Sequence, residues 1–309
     1  MNNHHKTEFK TSEFLFQAVF LITLSGIGFW LFQNLKLNLS RANLSLGFDF
    51  LFSQSSQVVR EAPFAVTPQD SYLTLIWVGI LNSLKVATFS IVLSTLLGSL
   101  IGTAQLSTNW LLRQIARIYI ETLRNIPLIL QLFFWYSVIF LTIPRGKVIS
   151  LTNLENLISV SIEGINLLGL NFSAEFSALV VGLSLFASAF IAEVLRGAIL
   201  SVPIAQSQAA KSLGLSGWQT TFWIIMPQAL AVVIPPLTNQ YVNILKNSSL
   251  AIAIGYEDLM AISSTALNQT GKAVEIIFLT MGIYLVLCLA IATFMNWLNA
   301  RLQMPSIKG

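Results

Sequence analysis

Six stretches of this 309-residue chain come close to the length and apolarity of a bilayer core, and that property decides what it can fold into. They run Phe14–Phe32, Ile80–Ala104, Ile118–Ile143, Phe176–Leu200, Ile224–Leu245 and Val274–Leu298. About 20 helical residues cross the hydrocarbon, where every backbone polar group must be satisfied within the chain. Composition agrees: 55% of residues are hydrophobic, 10% are charged and mean hydropathy is +0.73. Globular chains carry about a quarter charged residues. The expectation is an all-α membrane protein with about six transmembrane helices. Tyr72–Gly79 either extends the second helix or lies in the interface.

The first run is longer than the roughly 7–15-residue core of a signal peptide. It is followed by Gln33-Asn34-Leu35-Lys36 rather than a small-residue cleavage site, so a retained span is expected. His4 and His5, adjacent on a terminal tail, give no reason to expect a metal. Cys288 is the sole cysteine, which excludes an intrachain disulfide. The net charge of +4 suits anionic headgroups. No basic run or interleaved aromatic stripe points to nucleic acid. Gly98-x-x-x-Gly102 permits a close helix–helix approach. No Gly-x-x-x-x-Gly-Lys-Ser/Thr loop is present, so no ATP site of that kind is expected on this chain. The organisation divides into 1–71 (tail, first span and external segment), a core at 72–300 and a tail at 301–309. Lys and Arg split evenly between the two sides, so charge leaves orientation open.

Between the fourth and fifth runs lies a polar stretch, 201–223, with helix punctuation. Ser201 can cap, and Pro203 suits a first turn. Lys211 suits a last turn and Gly214 a C-terminal glycine position. Ser216 and Gln219 then read as a second capping box. Ala205, Ala209 and Leu213 recur at helical spacing and form a narrow face of mostly small side chains. An isolated helix this short is marginal in water. It must pack against the protein's own spans or against a partner.

Gln208-Ala209-Ala210, three residues, Gly214, nine residues and Ile224-Ile225-Met226-Pro227 resemble the coupling loop of ABC-transporter permeases. Its pattern is Glu-Ala-Ala, three residues, Gly, nine residues, Ile-x-Leu-Pro. Gln208 and Met226 depart from the usual Glu and Leu. Other segments follow in the order typical of the polar amino acid uptake permeases: Glu121-x-x-Arg124-x-x-Pro127-Leu128, Ala189 to Gly197, Pro235-Pro236-Leu237-Thr238-Asn239 and Lys246-Asn247-Ser248-Ser249-Leu250. The resemblance covers roughly Gly79 to the C-terminus. It implies a type I ABC-importer-like permease fold with both termini cytoplasmic, in the bacterial plasma membrane. It implies an ATP-binding cassette ATPase dimer, which binds the ATP while this chain holds no cofactor, and an external substrate-binding protein. Docking would use Ala205, Gln208, Ala209, Ala210, Leu213 and Gly214, with motion passed on through Pro227. Because Gln208 lacks the family's acidic charge, the expected assembly is a heterodimer with a second permease subunit.

Glu193 is an ionisable group inside a span, and such groups usually face a cavity or a partner. Arg196, three residues on, is within reach. The two readings are a structural pair and a pathway carboxylate. In the fifth run Asn239, Asn243 and Lys246 align, beside donor-free Pro235 and Pro236. They read as a cavity face or as interhelical amide bonding. Ser248 and Ser249 would sit with Lys246 at an outer mouth. Glu121 and Arg124 read as an ion pair at a helix end or as pathway groups. Lys85 is expected to snorkel outward. The outer segment Pro144–Glu175 suits either contact with the binding protein or a packed cap.

The function expected is a permease subunit with an alternating-access pathway for polar amino acids. A self-sufficient secondary transporter or channel is the alternative. It would need coupling-ion carboxylates in the spans and usually inverted repeats, and neither is visible. A membrane enzyme is more distant, since both histidines lie in the tail.

Overall fold

The computed structural model describes residues 11–41, 46–144, 147–150 and 158–302. The tail residues, Arg145 and residues 151–157 of the outer segment lie outside them. Two units are compact in themselves, Met1–Phe48 and Asp49–Gly309. The first contains helix α1, Thr11–Arg41. Its exposed apolar side chains, from Phe14 to Phe32, surround it on all sides, as for a lipid-facing span.

In the second unit residues 49–71 form a strap that leads into α2 and packs over its start. Ser71 caps α2, Tyr72–Gln105, accepting from the Thr74 N–H at 3.3 Å. The helix takes in Tyr72–Gly79, so that stretch extends the second span. Asn82 on α2 donates to the carbonyls of Glu61 in the strap and Glu257 in a later loop, both at 2.8 Å.

The third apolar run is not a straight span. It folds as α3, Trp110–Asn125, and α4, Leu128–Tyr136, bent by 104°. Pro127 causes the break. The residue before a proline is pushed out of helical geometry, and Ile126 is extended at φ −96°, ψ 127°. The Gln131 side-chain amide donates to the carbonyls of Leu123 and Ile126, at 2.8 and 3.0 Å, filling acceptors freed by the bend. A wide π turn, Ser137–Leu141, follows.

The described residues of segment 144–175 contain a small sheet that the sequence reading did not anticipate. Strands β1, Ile149–Ser150, β2, Ile158–Ser161, β3, Gly164–Leu167, and β4, Leu170–Ser173, make an antiparallel meander in chain order. Leu168 and Gly169 form the β3–β4 turn with φ of +54° and +83°, the left-handed pair that two-residue hairpins require. This small sheet is an addition to an otherwise helical fold.

Ser173 then caps α5, Ala174–Ser201. α5 lies parallel to α2, both running away from the sheet. A Cβ added at Gly98 would stand 2.7 Å from Ile191 Cγ2, and one at Gly102 2.8 Å from the Ala192 carbonyl oxygen. The close approach read from Gly98-x-x-x-Gly102 is therefore real. Ser83, Ser90 and Ser94 continue the same buried small-residue face.

At the far end from the sheet comes α6, Ile204–Ser212. Pro203 takes its N-cap position; Ser201 instead ends α5, its hydroxyl donating to the Ala198 carbonyl at 2.7 Å. Gly214 is left-handed, at φ +79°. The Ser216–Gln219 capping box forms on α7, Gly217–Gln219. A π turn, Thr220–Ile225, joins it to α8, Met226–Asn247. A tight turn at Ser248–Ile254 precedes α9, Leu259–Thr270, capped by buried Asp258, and α10, Ala273–Leu302. Among the described residues five helical segments are long and apolar enough to cross a membrane, or six with the bent α3–α4 pair as one.

Candidate functional site

Near the ends of α2 and α5 that point away from the sheet lies a polar cavity of about 520 Å³. Two sequence-predicted pairs converge on it. α5 contributes Glu193 and Arg196, and α3 contributes Glu121 and Arg124. The Arg196 Nη2 and Nε donate to Glu193 Oε2 at 2.9 and 3.2 Å. The Gln105 side-chain amide of α2 donates to Oε1 at 2.9 Å. Both carboxylate oxygens are thus occupied, by three donors from two helices.

The α3 pairing differs from expectation. Glu121 accepts from Arg117 Nε at 2.7 Å, not from Arg124. Arg124 instead lies over the Phe190 ring, 5.0 Å from its centre. Glu121 sits one turn after Arg117 on the same helix face, an i,i+4 arrangement. These groups lie in the second half of α3, before the bend, rather than at the start of a span. Tyr119, one turn from the cavity, joins its hydroxyl to that of Ser188 at 2.7 Å and so fixes α3 on α5.

Gln105 and Arg117 were not singled out in the sequence. Gln105 was legible: Gly98, Gly102 and Gln105 fall at i, i+4 and i+7, so the small-residue face ends in an amide. Arg117 was legible too: it stands four residues before Glu121, the spacing of a helical ion pair, whereas Arg113 is eight residues away.

The α8 residues form a separate surface. Pro235, Pro236, Asn239, Asn243 and Lys246 are exposed along one stripe, while Val233, Ile234, Ile244 and Leu245 are buried behind it. The prolines supply no N–H to the carbonyls four residues earlier, Ala231 and Val232. Ser248 is fully buried with its hydroxyl donating to the Leu245 carbonyl at 2.8 Å, and Ser249 donates to that of Lys246 at 2.7 Å. Lys85 Nζ pairs with Glu61 of the strap at 2.5 Å and lies 4.4 Å from the centre of the Phe176 ring.

A third surface is α6. Ala210 is buried and anchors the helix, which packs onto the Thr220–Ile225 turn. Ala205, Gln208, Ala209 and Leu213 are exposed, Leu213 at 82%. Pro227 lies directly after the π turn, in the first turn of α8.

Known proteins agree on what such a chain is. Residues 94–304 match the family described as the binding-protein-dependent transport system inner membrane component. The chain is 36% identical to YhdX of Escherichia coli K12, named an amino-acid ABC transporter permease protein, over 93% of each chain. It is 32% identical to AapQ of Rhizobium johnstonii, a general L-amino acid transport system permease protein, over 96% of this chain and 93% of that one. A crystal structure of an amino acid ABC transporter with histidines superposes at a TM-score of 0.59 and 26% identity, covering 74% of this chain and 95% of the other. This chain belongs to the binding-protein-dependent transport system inner membrane components, the multi-pass permease subunits of ABC importers.

Proposed function

We propose that this permease subunit carries polar amino acids across the bacterial plasma membrane by alternating access, as one half of a heterodimeric permease. An ATP-binding cassette ATPase dimer binds and hydrolyses the ATP, and an external binding protein delivers the substrate. The observation that carries the reading is α6. A two-turn helix with Ala205, Gln208, Ala209 and Leu213 exposed and a single buried anchor, Ala210, is built to sit in another protein's groove.

The path of force follows from local structure. Gly214 and the Ser216–Gln219 box fix the corner. The π turn before Pro227 is a loosened helical segment of the kind found at functional sites. Tilting α6 therefore turns the start of α8 and, through it, the polar stripe of Asn239, Asn243 and Lys246. In that reading the stripe lines the passage, and Glu193 with Arg196 closes its inner part. Gln208 keeps hydrogen-bonding ends but no charge. The second permease would supply the acidic contact that this one lacks.

The test is purification with the neighbouring subunits. Leu213→Asp should strip the ATPase from the complex while leaving the permease folded. Full ATPase retention by Leu213→Asp, or uptake by this permease and the ATPase with no second permease, would overturn the corresponding part.

A further inference from the structure

Helix α3 has three faces, and the transport site accounts for only two of them. On the first, Ala116 and Ile120 are buried, Ile120 in one cluster with Ala189 and Ala192 of α5. On the second, Arg117, Glu121 and Arg124 line the polar cavity. The third is the row Leu111, Ile115 and Ile118, spaced i, i+4 and i+7. Each of these side chains is more than half exposed, and nothing among the described residues covers the row. α3 is nevertheless not one of the five helices apolar enough to cross a membrane alone. An apolar row on one side and a charged row on the other is the pattern of a helix lying in a membrane interface.

Charge gives a second observation. Arg113 heads the charged row, one turn before Arg117 and roughly opposite the apolar row. Arg117 is neutralised by Glu121 at 2.7 Å. Arg113 makes only a long bond, Nη1 to the Ser107 carbonyl at 3.4 Å, and no carboxylate pairs with it among the described residues. Like charges one turn apart repel, so this guanidinium gains from an anion outside the chain. Position gives a third observation. α3 begins five residues after α2 ends, at the α6 end of the fold, and its first residue is the exposed Trp110. Trp218 and Trp223, also exposed, stand beside α6 at that same end. Tryptophan collects where hydrocarbon meets headgroups.

We propose that α3 lies in the inner membrane interface as a sensor of anionic lipid, with Leu111, Ile115 and Ile118 among the acyl chains and Arg113 on a headgroup phosphate. A soluble anion would use Arg113 and leave the apolar row bare, whereas a phospholipid occupies both. The seat also reaches the transport site. α3 joins α4 through one extended residue, Ile126, at a bend of 104°, so its tilt follows what it rests on. Its other long face carries Arg117 and Glu121, so a change of tilt moves that wall of the cavity. The proposal rests on the importer reading, which places the α6 end, and the start of α3 with it, at the cytoplasmic surface.

The experiment uses the whole importer, with its ATPase and second permease, in nanodiscs of phosphatidylcholine with increasing phosphatidylglycerol. ATP hydrolysis stimulated by substrate-loaded binding protein is followed. Wild-type hydrolysis should change with phosphatidylglycerol content. At low content that response should fall about fivefold in Arg113→Gln, the share of one cation near an anionic surface. Arg113→Lys, which keeps the charge, should retain most of it. Stimulation that is normal but indifferent to phosphatidylglycerol, or a lipid response identical in wild type and Arg113→Gln, overturns the sensor alone. A response reproduced in pure phosphatidylcholine by inorganic phosphate makes Arg113 a soluble-anion site and overturns the lipid seat. Loss of the ATPase from the purified Arg113→Gln complex makes this face a protein contact and also overturns it. Absence of stimulation by binding protein in any lipid, even for the wild type, overturns the importer reading and the sensor with it.

Discussion

The seam between α2 and α5 offers the sharpest quantitative test, through Gly102→Ala. The new methyl carbon would stand 2.8 Å from the Ala192 carbonyl oxygen and 3.2 Å from its Cα, both backbone atoms that no rotamer change can move. Reaching an ordinary 3.4 Å contact drives the two helices apart by about 0.6 Å. Overpacking of this kind costs about 1–3 kcal/mol. The alanine returns roughly 0.5–1 kcal/mol of helix preference. Because the clash is with backbone the cost lies in the upper part of that range, about 2–3 kcal/mol, so the net loss is about 1–2.5 kcal/mol, and the Gln105–Glu193 bond, one turn away, is pulled beyond its 2.9 Å. At about 2–4 °C per kcal/mol, thermal unfolding in detergent should fall by several degrees, with slower uptake. Gly98→Ala should cost less, because its nearest contact is the movable Cγ2 of Ile191. Gly282→Ala on α10, with nothing within 4 Å of the added carbon, serves as the control and should be neutral or stabilising. A Gly102→Ala protein as stable as the control would refute the claim that this seam is closed backbone to backbone.

Two further substitutions probe the polar interior. Glu193→Gln removes the charge that Arg196 and Gln105 hold, and should lower substrate uptake with complex assembly unchanged by size-exclusion chromatography; wild-type uptake would show that the pair is not used in transport. Gln131→Leu orphans the Leu123 and Ile126 carbonyls at the α3–α4 break and should destabilise by roughly 1–3 kcal/mol. An unchanged melting temperature would mean that another donor reaches them.

The helices were legible because lipid leaves so few solutions: apolar length alone located α1, α2, α5, α8 and α10. What sequence concealed was where helices stop being straight. Pro127 was in view inside the third run, but a proline within an apolar stretch is also tolerated as a mild kink. The 104° bend is settled by Gln131 supplying the missing donors, which is a tertiary fact. The sheet was hidden because its strands are two to four residues long, too short for a period-two pattern to stand out. At the site, Glu193 with Arg196 was readable as a same-helix pair. The Glu121 partner was misread because Arg117 and Arg124 are both within one turn, and Arg124 finds an aromatic face on another helix. The α6 punctuation survived nearly whole, since caps and left-handed glycines are local.

The close α2–α5 seam and the loosened α6–α8 limb divide the labour of the proposed cycle. Gly98 and Gly102 bring two helices into contact at which sliding would force backbone against backbone. The cavity with Gln105, Glu193 and Arg196 is built across that seam, so its geometry is fixed relative to both helices. α8 is held differently. It packs on α5 through Leu195, Ala198, Ala229 and Val233, and a Tyr241–Thr95 hydroxyl contact of 2.9 Å ties it to α2. Its entry is a π turn and its middle carries two prolines. Motion of α6 therefore reaches Asn239 and Asn243 before it reaches Glu193. In the proposed cycle the α8 stripe would be the moving wall of the passage, and Glu193 would belong to the fixed wall against which it closes.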